Sequence, residues 1–175
     1  MLEVIQKRQS VRAYQSQPVE NEKITQCLEA ARLAPSACNA QAWHFVVIDE
    51  PELKNAVAEC SASLGMNKFL TQSPVIVAII LEKPNFMSKV GTFVKRKDYT
   101  LIDIGIAAEH FCLQATTLGL GTCIVGWFNE KKTKKLLHIP QRKRVPLLIS
   151  VGYSADNQRD KNRKSLEEIV SYNKY

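Results

Sequence analysis

The chain has 175 residues, 45% hydrophobic and 23% charged, with only seven glycines and seven prolines. That length suits one domain, 1–175, with a real core, and the balance excludes disordered and collagen-like classes. The formal charge of +7 raises nucleic acid as a partner, but no aromatics interleave with the basic runs as a stacking platform requires.

In chain order, the first feature is Lys7-Arg8-Gln9-Ser10-Val11-Arg12. In extended backbone, side chains two apart face the same way, so Arg8, Ser10 and Arg12 can converge on one anion. The planar arginine fork suits a phosphate. Residues 21–33 then place Ile24, Cys27, Leu28 and Ala31 on one helical stripe, and Pro35 ends that helix. A polar loop, Pro35-Ser36-Ala37-Cys38-Asn39-Ala40-Gln41, leads into a strand over 43–48. Residues 51–60 open with Pro and Glu and read as a helix.

The run Val75-Ile76-Val77-Ala78-Ile79-Ile80 fits a strand buried on both faces. Residues 82–100 are the least regular stretch and read as a lid or surface excursion. Residues 101–118 are apolar almost all round, which implies a helix buried in the core or, more attractively, at a subunit interface. Gly119 is placed to stop it. Two more strands follow, 121–125 and 145–153, with a helix over 129–137 between them. On that helix Lys131, Lys132, Lys134 and Lys135 form a wet face, and Arg142-Lys143-Arg144 reads as a turn between Pro140 and Pro146. Ser165-Leu166-Glu167-Glu168 is a capping-box pattern opening a last short helix. The mixture gives an α+β domain with a largely buried sheet.

Further along, Lys161-Asn162-Arg163 repeats the basic spacing near the other end of the chain. Ser36, Asn39 and Gln41 offer donors and acceptors to the polar edge of a planar ligand. Gly126, just past a strand, permits a backbone N–H to approach a ligand closely. His44, His110 and His138 are scattered, so no metal is indicated. There is no G-x-G-x-x-G fingerprint. Five cysteines without a C-x-x-C pair imply a reducing cytoplasm, with Cys38 the one to watch. No apolar run is long enough to cross a bilayer.

Together these motifs resemble the FMN-dependent nitroreductase family over nearly the whole chain. The residues that carry the resemblance are Arg8-Gln9-Ser10-Val11-Arg12, Ala34-Pro35-Ser36-Ala37-Cys38-Asn39-Ala40-Gln41-Ala42-Trp43, Asp103-Ile104-Gly105 with Leu118-Gly119-Leu120-Gly121-Thr122-Cys123, and Lys161 to Val170. Ala42 stands where the family pattern has proline. The resemblance implies an α+β nitroreductase-like fold: a central, mostly antiparallel sheet flanked by helices, in an intertwined homodimer. It also implies tightly but non-covalently bound FMN between the subunits. Arg8, Gln9, Ser10 and Arg12 would serve the phosphate, ribityl chain and ring edge, and Lys161 and Arg163 would complete the phosphate site. Pro35, Ser36, Asn39 and Gln41 would line the ring, Asn67 or Lys68 would touch its pyrimidine edge, and Val125 and Gly126 would sit by N5. The implied activity is ping-pong hydride transfer from NAD(P)H to nitroaromatics, quinones or a related small electron-poor acceptor, with no side-chain nucleophile. A flavin-binding redox sensor or carrier without turnover would share the same cofactor residues.

Overall fold

Four strands form an antiparallel sheet in the order β1-β2-β4-β3, with β1 over Trp43–Ile48, β2 over Val75–Leu81, β3 over Gly121–Val125 and β4 over Arg144–Gly152. The structure is a computed structural model, and it describes residues 1–62, 65–83 and 98–175. Helices α1 (Glu3–Lys7), α2 (Asn21–Arg32), α3 (Pro51–Glu59), α4 (Tyr99–Thr117), α5 (Glu130–Leu136) and α6 (Leu166–Ile169) complete the described elements, with 3-10 turns at Ala37–Asn39 and Lys68–Thr71.

The apolar run of β2 follows from its central place. Val75, Val77 and Ile79 point to one face and Ile76, Ala78 and Ile80 to the other, and all six are buried. Alternation of a strand sends successive side chains to opposite faces, so a strand covered on both sides is apolar throughout. On the first face, Ile24, Cys27 and Ala31 of α2 and Ile104, Ala107, Ala108, Phe111 and Ala115 of α4 close one core. On the second, Val57 and Ala58 of α3 pack with Cys123, Val125, Ile139 and Leu148. Each fully buried large side chain contributes about 1.5–3 kcal/mol relative to exposure.

The local signals behave as the sequence suggests, with shifted ends. Glu50 caps α3, accepting from the N–H groups of Glu52 at 3.0 Å and Leu53 at 2.6 Å, with Pro51 in the first turn. Asp98 caps α4, which therefore starts at Tyr99, two residues before the expected boundary. Arg144 belongs to β4 and pairs with Leu81, so it is not part of a turn. Glu168 closes the α6 capping box by accepting from the Ser165 N–H at 2.9 Å. The excursion expected over 82–100 lies, for residues 84–97, outside the described residues.

An N-terminal strap then crosses the edge of the sheet. Ser10 bridges Thr122 of β3 in parallel, and the Val11 N–H donates to the Thr122 carbonyl at 2.9 Å. Tyr14 bridges Ser154 in the antiparallel sense, and the Ala155 N–H donates to the Ala13 carbonyl at 2.9 Å. Gly121 is what lets the strap lie so close, because a Cβ there would meet Val11 Cγ2 at 2.6 Å. The buried Tyr14 hydroxyl lies 2.7 Å from Ser150 Oγ and donates to the Val11 carbonyl at 3.1 Å.

Candidate active site

The strap draws the two ends of the chain together, and both ends are basic. Lys161 Nζ donates to the Arg8 carbonyl, and the Arg159 guanidinium donates to the Ser10 carbonyl. Gln9 is committed to the same seam: its Nε2 donates to the Asn157 carbonyl at 3.0 Å and its Oε1 accepts from the Arg159 N–H at 3.0 Å. The Arg12 N–H donates to Asp156 Oδ2 at 2.6 Å, which leaves the exposed Arg12 guanidinium out of that bond. Arg8 is half-buried, with Nε 3.3 Å from Glu109 of α4.

Basic side chains act on one another along the seam. Desolvation and repulsion from Arg8 and Arg163 hold the Lys161 ammonium below its ordinary pKa, with Glu109 pulling the other way. Buried Cys123 feels the same field: burial pushes its thiol up, while Arg12, Arg159 and Arg8 oppose that push. Glu109 answers part of this positive charge, and a further negative group would answer more of it. A phosphate fits that requirement in charge, and the arginines suit its shape.

At the other end of β3, four residues on, the strand gives way to Gly126 and Trp127. Gly126 is exposed, and a Cβ there would meet only Leu147 Cδ2 at 3.9 Å, so packing within the chain does not demand a glycine. Val125 beside it is buried. Asn67, in the left-handed region at φ 54, donates from Nδ2 to the Trp127 carbonyl at 3.1 Å and so steadies the Gly126–Trp127 turn. Lys68 is exposed at the start of the adjoining 3-10 turn.

The polar loop is held in an uncommon shape. Cys38, Asn39 and Gln41 all have positive φ, at 52, 50 and 46 degrees, and none is glycine. Several contacts hold it there. The Gln41 N–H donates to Ser36 Oγ at 3.0 Å, Gln41 Nε2 donates to Asn39 Oδ1 at 3.0 Å, and the Ala37 N–H donates to Asp103 at 3.1 Å. Ala42 is buried, and its carbonyl accepts from the Glu82 N–H at 3.0 Å. Pro35 is exposed at the loop's entrance. Strain of this kind costs of order 1–3 kcal/mol per residue and persists where the surroundings enforce it. The loop adjoins β1, at the opposite edge of the sheet from the strap.

Among the described residues no group of three or more His, Cys, Asp or Glu side chains is placed to hold a metal. No helix among them is long and apolar enough to cross a membrane.

The nitroreductase family model matches residues 5–65 and 54–153. The chain belongs to the nitroreductase family. It resembles an oxygen-insensitive NADPH nitroreductase of Helicobacter pylori, with 27% identity over 187 residues, 91% of this chain and 88% of that protein. It resembles an NADH dehydrogenase of Thermus thermophilus at 25% identity, covering 94% of this chain and 91% of the relative. Among solved structures, an FMN-dependent nitroreductase from Clostridium difficile superposes with a TM-score of 0.83 at 30% identity, covering both chains fully.

Membership makes this nitroreductase-family chain an oxidoreductase, and its fold is the one the motifs imply. Three residues that shape the site were not among the candidate site residues read from the sequence. Asp103 is buried at 4% exposure within an apolar helix, where it anchors the polar loop. An acid at such a position is the signal that points to it, because a buried carboxylate needs partners. Arg159 sits in ordinary polar surroundings in sequence and Glu109 is a charge on a largely apolar helix, and only the fold brings them to Ser10 and Arg8.

Proposed function

We propose that the chain is an FMN-dependent oxidoreductase that uses NAD(P)H to reduce nitroaromatics, quinones or related electron-poor acceptors, working by a ping-pong cycle as a cytoplasmic homodimer with one domain spanning 1–175. The observation that carries this reading is the gathering of Arg8, Lys161 and Arg163 where the two ends of the chain meet, at the start of the edge strand that Gly126 follows. When bound, FMN supplies a two-electron carrier that accepts hydride from the nicotinamide and passes reducing equivalents to the second substrate.

The chain's own residues then position and polarise. Arg8, Arg12, Lys161 and Arg163 hold the phosphate, with the Ser10 hydroxyl beside them. Gln9 acts on this site through the tail, since both ends of its amide bind Asn157 and Arg159. The open side of Gly126 lets the backbone meet the reacting edge of the ring, and Asn67 keeps that turn in place. Lys68 offers a positive charge at the same end. In the homodimer, Pro35, Ser36, Asn39 and Gln41 would line the ring from the second subunit.

Unpaired apolar surface supports the homodimer. Leu101 and Ile102 on α4 are about half exposed, and Leu166, Ile169 and Tyr172 in the C-terminal arm are 70%, 62% and 87% exposed. A capped helix presenting leucine and isoleucine to water is stabilised by lying on another surface. Sedimentation should give a species of twice the chain mass.

Purified protein is expected to be yellow, with an absorption band near ~450 nm that bleaches on anaerobic addition of NADPH or NADH and returns on adding a quinone. Colourless protein whose melting temperature is unmoved by FMN would overturn the reading. Yellow protein that neither nicotinamide bleaches would favour a carrier or sensor.

A further inference from the structure

A second basic site lies at the Gly126 end of the sheet, distinct from the strap. A groove of about 530 Å3 is lined by Leu81, Glu82, Lys83, Arg142, Lys143 and Arg144. Its cations outnumber their local answers. Lys143 is paired with Glu82. Arg144 Nε donates to Glu130 at 3.0 Å, but that carboxylate also accepts from the Val145 N–H at 2.9 Å and lies 3.7 Å from Lys134 Nζ. Lys83 and Arg142 are exposed and make no hydrogen bond or ion pair among the described residues.

The placement of this groove follows from strand register. Val125 pairs with Leu148, and the bare side of Gly126 faces Leu147. From Leu147 to Arg144 is three residues of β4, about 10 Å along the strand. Arg144 in turn pairs with Leu81 of β2, which brings Lys83 to the same rim. A molecule whose reacting ring sits over Gly126 and whose other end carries a phosphate therefore has cations within reach of that far end.

We propose that the groove of Lys83, Arg142 and Arg144 binds the 2′-phosphate of NADPH and makes NADPH the preferred hydride donor over NADH. This rests on the reading of a nicotinamide dinucleotide as donor. A phosphomonoester presents a fork-shaped anion that arginine binds through two parallel hydrogen bonds, whereas the 2′-hydroxyl of NADH offers one neutral partner. Among the described residues, Lys83 and Arg142 have no carboxylate partner to give up when a phosphate arrives.

The test is calorimetric titration of the flavin-loaded protein with 2′,5′-ADP and with 5′-AMP, alongside kcat/KM for NADPH and NADH. The 2′,5′-ADP should bind about tenfold tighter than AMP, and kcat/KM should favour NADPH by a similar factor. Arg142→Ala and Lys83→Ala should each cut both ratios about fivefold. Lys132→Ala, an exposed charge on α5 outside the groove, should leave them unchanged and so separates a site from diffuse attraction. Equal binding of the two nucleotides, or discrimination that survives the Lys83→Ala/Arg142→Ala double variant, would overturn the proposal. If dithionite bleaches the flavin but neither dinucleotide does, the donor assignment falls and takes the NADPH preference with it, even where 2′,5′-ADP still discriminates.

Discussion

At the scale of single residues, burial sorts the five cysteines into two kinds. Burial pushes the Cys27 and Cys112 thiols up to about 12 and raises that of Cys123, so none forms thiolate readily at neutral pH. Cys60 is buried as well, while Cys38 is exposed on the polar loop. A thiol-specific chromogenic reagent at pH 8 should label Cys38 quickly in native protein and the other four cysteines only after unfolding, and Cys38→Ser should abolish the fast phase. Rapid labelling of more than one thiol per chain would show that the core opens more easily than its packing implies. The same residue scale shows where sequence reading stops. The position of Cys38 in a polar loop is legible, but its left-handed backbone is not, because neither it nor Asn39 nor Gln41 is a glycine. The bonds of Asp103 and Ser36 to the loop's N–H groups, with that of Gln41 to Asn39, help to hold that shape.

The elements themselves were legible wherever one physical demand dominated. The unbroken apolar run of β2 could only be a strand covered on both faces or a short buried helix segment, and its length favours the strand. The α4 pattern announced a buried helix, while its start depended on an Asp98 cap that hydrophobicity does not report. The five-residue α1 buries no residue, so no apolar stripe marks it. How the strap docks was likewise hidden, since it depends on the missing side chain of Gly121. Gly121→Ala drives a Cβ to within 2.6 Å of Val11 and should destabilise the fold by about 1–3 kcal/mol, lowering Tm by roughly 5 °C. Unaltered Tm in that variant would mean that the strap is not packed as described.

The junction of α5 with β4 carries a pH-dependent contribution. Burial raises the Glu130 carboxyl, but the Val145 N–H and Arg144 outweigh it, and its pKa falls below the ordinary 4.5. The folded chain thus binds that proton less readily than the unfolded one. Its stabilisation is fully present above pH 4.5 and is lost as pH falls through the lower, folded value. Glu130→Gln should therefore lower Tm by about 2–4 °C at pH 7, with the gap closing as the pH falls below 4.5. A gap that persists in acid would assign the effect to packing.

For the molecule as a whole, function depends on the joining of distant parts of one chain. Arg8 and Lys161 stand 153 residues apart, yet their backbone and side chain are in hydrogen-bond contact. The sequence displays two basic dipeptide-spaced motifs and an amide-rich loop, and composition alone cannot say that the motifs meet. Family resemblance supplies that link, and the seam between strap and tail gives it a physical form: backbone pairing from Val11 to Gln15 holds the cations in place before any ligand arrives. The loop of Ser36, Asn39 and Gln41 belongs to the other edge of the sheet, and in the proposed homodimer it would come from the second copy of the chain.

The most direct measurement compares the affinity of flavin-free protein for FMN and for riboflavin, which differ only in the phosphate. FMN should bind at least about a hundredfold more tightly, and Arg8→Ala combined with Lys161→Ala should collapse that advantage to less than about tenfold. Equal affinity for the two flavins in the unaltered protein would show that the converging cations hold no phosphate.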